Sequence, residues 1–177
     1  MPDTLAWEPA AGRPDLLTPS VVAALTGIPE AEVAPIDPAL ADTEALCAHY
    51  GLPLDDSANC VVVAAKRAGV VTLAACVVLA TTRADVNSLV RRHLDARKAS
   101  FAPLDDVVAT TGMEYGGITP VGLPPDWPVL VDAEVVKRGL VIIGSGIRAS
   151  KIRLAGSALA GLPGAQVLSG LGIPVAV

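Results

Sequence analysis

Apolar positions along this chain fall into short blocks whose period changes. Residues 60–65 and 70–80 are runs of Val, Ala, Leu and Cys, the second broken only by Thr72, and they are parted by Lys66-Arg67-Ala68-Gly69. This predicts two strands joined as a hairpin through a glycine-containing loop. The 70–80 run is eleven residues, too short to cross a bilayer. Over 85–95 the period lengthens. Val86, Leu89, Val90 and Leu94 share a helical face, with Asp85 placed to cap it. Asp42 likewise predicts a capped helix through Tyr50, stopped by Gly51. The spacing then predicts a strand over 98–102 and a helix opened by Pro103 through Val108, ending near Gly112. Beyond these come a buried strand at 129–131 and a helix from Asp132 to Arg138. Strands follow at 140–143 and 147–154, and a short helix at 155–162. Lys151 and Arg153 fall on one alternation face of that last strand. Residues 1–40 hold seven prolines and little periodicity. They read as an extended lead-in with a short helix near 19–25. Together these elements predict an α/β (mixed α+β) fold on a mixed, largely antiparallel sheet with surrounding helices.

Two glycine segments interrupt this pattern. Thr111-Gly112-Met113-Glu114-Tyr115-Gly116-Gly117-Ile118-Thr119-Pro120-Val121-Gly122 has four glycines and a proline in twelve residues, which reads as a shaped loop. The second, Gly144-Ser145-Gly146, follows the apolar run 140–143. With Ile147-Arg148-Ala149 it fits a dinucleotide fingerprint, which needs an acid about 20 residues on for the ribose. The last acid in the chain is Glu134, which argues against a dinucleotide-dependent oxidoreductase. A plain turn between strands and a turn whose amides meet a ligand both stay open.

Composition narrows the chemistry. Apolar residues make up 52% and aromatics 3%, so the core is built from Val, Leu, Ile and Ala, in one domain. Cys47, Cys60 and Cys76 form no C-x-x-C, and His49 and His93 sit in no metal-spaced cluster. Small buried cysteines, surface histidines and no metal or cofactor are expected. No G-x-S-x-G elbow is present. The N-terminus lacks a signal-peptide pattern, which leaves the cytoplasm as the expected compartment and no membrane as a partner. The net charge of −5 conceals an asymmetry. Residues 1–60 hold ten acids against Arg13 alone, and residues 61–177 hold eight acids against twelve bases. Arg91, Arg92, Arg97 and Lys98 form the densest basic cluster, a candidate for phosphate contact or simply a solvated face.

The ordered set of strand, helix, T-G-x-x-x-G-G-I-T-P-x-G loop, V-L-V-D strand and Gly-Ser-Gly turn with Arg148 two residues on resembles the YbaK/prolyl-tRNA-synthetase-associated domain family. That family comprises aminoacyl-tRNA editing deacylases, and the likeness covers roughly residues 36–170. It implies an editing domain over 36–177, with residues 1–35 as an N-terminal extension packed on it. It also implies a substrate pocket shaped by Gly116, Gly117, Ile118, Thr119, Pro120 and Arg148, with Gly144, Ser145 and Gly146 beside the ester. The usual functional lysine of the family corresponds to Asn59. Lys66, at the far end of the same strand, falls on the opposite face. A further acid of many relatives corresponds to Lys151. Asn59 is therefore the expected side-chain donor, with the backbone amides of Gly144, Ser145 and Gly146 as the other catalytic donors to the developing oxyanion. The implied activity is hydrolysis of mischarged aminoacyl-tRNA in trans, with aminoacyl-tRNA as partner, an aminoacyl-tRNA synthetase as a second partner and no DNA. The alternative is a module that binds aminoacyl-tRNA, a nucleotide or a synthetase without turnover.

Overall fold

The computed structural model describes residues 3–175. Its strands are β1 (Glu8–Pro9), β2 (Glu32–Pro35), β3 (Ala58–Arg67), β4 (Val70–Leu79), β5 (Thr82–Ala84), β6 (Lys98–Phe101), β7 (Val129–Asp132), β8 (Val141–Ile143), β9 (Ser150–Leu154), β10 (Ala165–Leu168) and β11 (Gly172–Pro174). Helices are α1 (Pro19–Leu25), α2 (Thr43–Tyr50), α3 (Arg91–His93), α4 (Leu104–Thr111) and α5 (Ala133–Val136). The strands form a five-stranded sheet in the order β10-β7-β4-β3-β6, a four-stranded sheet β1-β2-β9-β8 and a β11-β5 pair. The first is mixed. β10 and β4 flank β7 in parallel, and β3 runs antiparallel to both β4 and β6. The four-stranded sheet is antiparallel throughout. This is the mixed α+β architecture that the sequence implies.

The β3–β4 hairpin organises the larger sheet. Its register runs unbroken from Ala58↔Leu79 to Arg67↔Val70. Its loop is two residues, not the four expected. Ala68 and Gly69 have φ of 50° and 79°, the two positive values that a type I′ turn requires, so Lys66 and Arg67 stay in the strand. β4 is apolar on both faces because both are covered. Ala75, Val77 and Leu79 join the main core with α1 and β9 side chains. Ala74, Cys76 and Val78 face Val86, Val90 and Leu171. A sheet covered on both sides gives continuous apolar runs rather than alternation.

Local chemistry fixes the helix ends. Asp42 Oδ1 accepts from the Glu44 and Ala45 amides at 3.1 and 3.2 Å, and Gly51 closes α2 at φ 65°. Asp85 caps the next helical segment through the Ser88 amide at 3.2 Å. There the Val90 amide reaches back five residues to Asp85 O at 3.0 Å, so Val86–Val90 is a wider turn than an α-helix. Pro103 stands just before α4 rather than within it. The strand expected over 147–154 begins only at Ser150. The Ile147 amide donates to Ser145 Oγ and the Arg148 amide to Glu114 Oε1, so neither is free for a sheet partner. Asp132 precedes α5 without a side-chain cap. Its Oδ2 instead accepts from the Gly172 amide at 3.2 Å.

The proline-rich lead-in is woven into the domain. β2 pairs with β9 from Glu32↔Arg153 to Pro35↔Ser150. Leu16, Leu17, Val21 and Leu25 lie in the main core.

Candidate functional site

A cleft of about 550 Å³ opens where the start of β3, the N-terminus of α2, the end of β6 and both glycine segments meet. Asn59, Cys60, Gly116, Ile118, Gly144 and Lys151 contribute to its lining. Asn59 Oδ1 accepts from Thr43 Oγ1 at 2.7 Å. Its amide NH₂ has no protein acceptor among the described residues. This is a side chain oriented by one neighbour and left with donors to offer.

The two glycine segments are locked together. The Gly146 amide donates to Gly117 O at 2.7 Å, and the Glu114 amide donates to Gly146 O at 2.8 Å. A Cβ on Gly117 would stand 2.8 Å from the Gly146 and Ile147 backbone, and one on Gly144 would stand 2.5 Å from Ile118 O. These glycines are required by close passage of backbone against backbone. Only part of each segment therefore reaches the cleft. From the first, Gly116 and Ile118 line it, whereas Gly117, Thr119 and Pro120 are buried beneath. Thr119 Oγ1 is wholly enclosed and has no hydrogen-bond partner among the described residues, so it does not offer its hydroxyl to the cleft. From the second, Gly144 lines the cleft. Ser145 is fully buried, with its hydroxyl joined to Ser150 Oγ at 2.7 Å and to the carbonyls of Ile147 and Ser150. Ser145 and the Gly146 amide are thus committed within the protein.

Arg148 stands behind Gly116 and works as a clamp. Its guanidinium donates to Tyr115 O and Pro38 O, each at 3.0 Å, and lies 5.7 Å from the Tyr115 ring centroid. The cluster Arg91, Arg92, Arg97 and Lys98 does not border the cleft. Arg91, Arg92 and Arg97 line a separate groove with Arg67 and Asp95. Lys98 pairs in register with Lys66 on the neighbouring strand. β3 runs from the cleft at Asn59 to this groove at Arg67, roughly 26 Å at strand rise.

Residues 37–162 match the family described as the aminoacyl-tRNA editing domain. The chain belongs to that family. A relative from Enterococcus faecalis, provisionally named a Cys-tRNA(Pro)/Cys-tRNA(Cys) deacylase, EbsC, is 31% identical over 70 residues. That stretch is 40% of this chain and 43% of the relative, so the match spans less than half of either. Among solved structures, a protein described as a candidate trans-editing enzyme for prolyl-tRNA synthetase superposes with a TM-score of 0.72 at 22% identity, over 86% of this chain and 97% of that one. The protein APE2540 gives 0.76 at 21% identity, over 87% and 99%. Both show that the editing-domain fold is present.

Although Tyr115 lies in the first glycine segment, the sequence assigns no role to two aromatic residues at the editing-domain cleft. Phe101 and Tyr115 line it while 66% and 62% exposed, and the chain has only five aromatic residues. Their scarcity was the available signal. Lys151, which the sequence places where many relatives carry an acid, also lines the cleft and is 6% exposed. Its Nζ donates to Ala41 O at 3.0 Å. Burial pushes its pKa below the ordinary 10.5, assisted by the Arg148 charge and opposed by Asp42 and Cys47. Burial also raises the thiols of Cys60, another residue of the lining, and of Cys76, the latter to about 12, so both remain protonated. Among the described residues no three His, Cys, Asp or Glu side chains group to hold a metal. No helix there is long and apolar enough to cross a membrane.

Proposed function

We propose that this editing domain is a trans-acting deacylase that hydrolyses the ester of mischarged aminoacyl-tRNA. The observation that carries the reading is the cleft itself. It is large enough for an aminoacyl-adenosine and holds an oriented amide donor at Asn59 with two exposed aromatic rings at its mouth. An aminoacyl ester is already activated. Its hydrolysis requires a positioned water and donors at the oxygen that gains charge. Water adds to the carbonyl carbon, and the bond to the ribose oxygen breaks with its electron pair. That oxygen takes up the proton released by the water, relayed through the vicinal ribose hydroxyl. Phe101 and Tyr115 offer faces on which the terminal base stacks. The Arg67, Arg91, Arg92 and Arg97 groove takes phosphates further up the acceptor arm, with Lys98 beside it. Gly116, Ile118 and Gly144 shape the amino-acid side of the pocket. Gly117, Thr119, Pro120, Ser145, Gly146 and Arg148 support that wall from within.

The test is a panel of misacylated tRNAs incubated with the pure protein. It includes tRNA(Pro) carrying cysteine, with tRNA(Cys) carrying cysteine beside it, because one relative's name specifies these two. Release of the amino acid from one of them, at a rate proportional to enzyme, is the expected result. A second reading is an aminoacyl-tRNA-binding module. It is favoured by the internal commitment of Ser145 Oγ and the Gly146 amide. Binding of the same tRNAs with no release would select it.

A further inference from the structure

The geometry points to Lys151 as a catalytic residue of this cleft, its ammonium donating to the ester carbonyl oxygen as that oxygen becomes an oxyanion. The assignment rests on the deacylase reading above. Lys151 lies on β9, in the strand position paired with Ala34 of β2. It is nearly enclosed by protein, yet it lines the cleft. A lysine ammonium has three N–H donors. One is used on Ala41 O, and no acceptor for the other two is present among the described residues. No carboxylate among the described residues lies within ion-pairing distance of it either. Asp42 is near enough to raise its pKa, but the Asp42 carboxylate caps α2 through the Glu44 and Ala45 amides.

A buried ammonium with one fixed bond is expensive for the fold. Two spare donors at the wall of a cleft give it a purpose. They await an acceptor that carries negative charge and comes from outside the protein. In ester hydrolysis that acceptor forms transiently, when water adds to the carbonyl carbon and the carbonyl π-electrons move to oxygen. Lys151 keeps its proton throughout. The oxyanion then collapses and expels the ribose oxygen, which takes the proton brought in by the water. Burial disfavours the charged form of Lys151 most; among its neighbours Asp42 and Cys47 favour the ammonium and Arg148 opposes it. The donor role requires the charged form, so turnover falls as pH rises through the depressed pKa of Lys151.

The experiment measures kcat and KM across pH for the full chain, for Lys151→Met and for Lys151→Arg, on whichever misacylated tRNA of the panel is turned over. A thermal melt confirms that each variant is folded. The expected result for Lys151→Met is a loss of about 100-fold in kcat, with KM within a few-fold and the alkaline fall in rate abolished. Lys151→Arg retains part of the rate and moves the fall to higher pH. Three results overturn the assignment while leaving the deacylase standing. They are Lys151→Met within about threefold of wild type, an effect confined to KM, and a wild-type rate that rises through the Lys151 pKa, as it would for a general base. Wild-type protein that releases no amino acid from any tRNA overturns the deacylase reading, and the Lys151 assignment falls with it.

Discussion

The cleft and the basic groove stand at the two ends of β3, and positive charge means something different in each. The groove gathers Arg67, Arg91, Arg92 and Arg97 around Asp95. Its charges are solvated and partly engaged, for example Arg67 with Asp95 at 3.2 Å. Such pairs contribute little to stability, and their attraction for a polyanion is long-ranged and salt-sensitive. The cleft holds one oriented amide and one buried ammonium that, among the described residues, forms no ion pair with a carboxylate. Interactions there are strengthened by lower dielectric and screened far less. The groove is suited to attracting an extended phosphate chain without regard to sequence. The cleft is suited to acting on one atom. A count of charges along the sequence finds the first and misses the second.

The sharpest test of that contrast is Asn59→Ala. If its amide serves the developing oxyanion, kcat falls by about 10²–10³, with tRNA affinity little changed, as read by single-turnover deacylation beside a binding titration. An affinity loss with unchanged kcat would move Asn59 from chemistry to binding.

Gly144→Ala probes the wall itself. The added methyl would stand 2.5 Å from Ile118 O, backbone that cannot yield cheaply, and overpacking of this kind costs about 1–3 kcal/mol. The urea midpoint should fall accordingly. Gly139→Ala, where an added Cβ meets nothing within 4 Å, should leave it in place.

Lys151→Met should stabilise the protein at neutral pH, by something like 1 kcal/mol, because an uncompensated buried charge becomes apolar. Below the depressed folded-state pKa of Lys151, native and unfolded chains both carry the proton, and the burial cost is present in full. Between that pKa and 10.5 the native state sheds its proton while the unfolded chain keeps it, so wild-type stability rises with pH. The advantage of Lys151→Met should therefore shrink as pH approaches 10.5. Melting curves at several pH values measure this, and an advantage independent of pH would mean that Lys151 titrates normally.

Replacing Arg91 and Arg92 together by Gln should weaken tRNA binding across sequences. It should also reduce the slope of log K against log salt by about 1–2, with kcat at saturation preserved. An unchanged slope would reduce the groove to a solvated face. The smallest effect belongs to Lys66→Ala. Lys66 is exposed and paired with Val71 and Lys98 at the groove end of the sheet. Activity within about twofold is expected, since surface substitutions away from a site rarely matter. A large loss would bring the two ends of β3 into one site.

Much of the fold is legible locally. Asp42 and Gly51 bracket α2 because a side-chain acceptor and a left-handed residue act within one turn of chain. α1 falls at Pro19–Leu25 as Pro19 predicts. The hairpin follows from two apolar runs and a glycine. Other elements depend on distant partners. β2 is a strand because β9 lies beside it, and its terminal Pro35, between Pro29 and Pro38, disguises it. β10 and β11 are short segments held by β7 and β5. The 147–149 segment is diverted from its predicted strand by the side chains of Ser145 and Glu114.

Lys151 and Arg153 draw the line most clearly. Alternation alone places both on one face of β9, and that much the sequence determined. Tertiary structure decided their fates. Arg153 lies 4.6 Å from the Trp7 ring centroid and pairs with Glu32 at 2.8 Å at the rim. Lys151, two residues earlier, is sealed under Ala41 at the entrance to α2 and lines the cleft. A strand's period is a property of its own backbone and fixes which side chains share a face. Whether that face meets water, a carboxylate or a cleft depends on segments more than a hundred residues away, and only their packing supplies it.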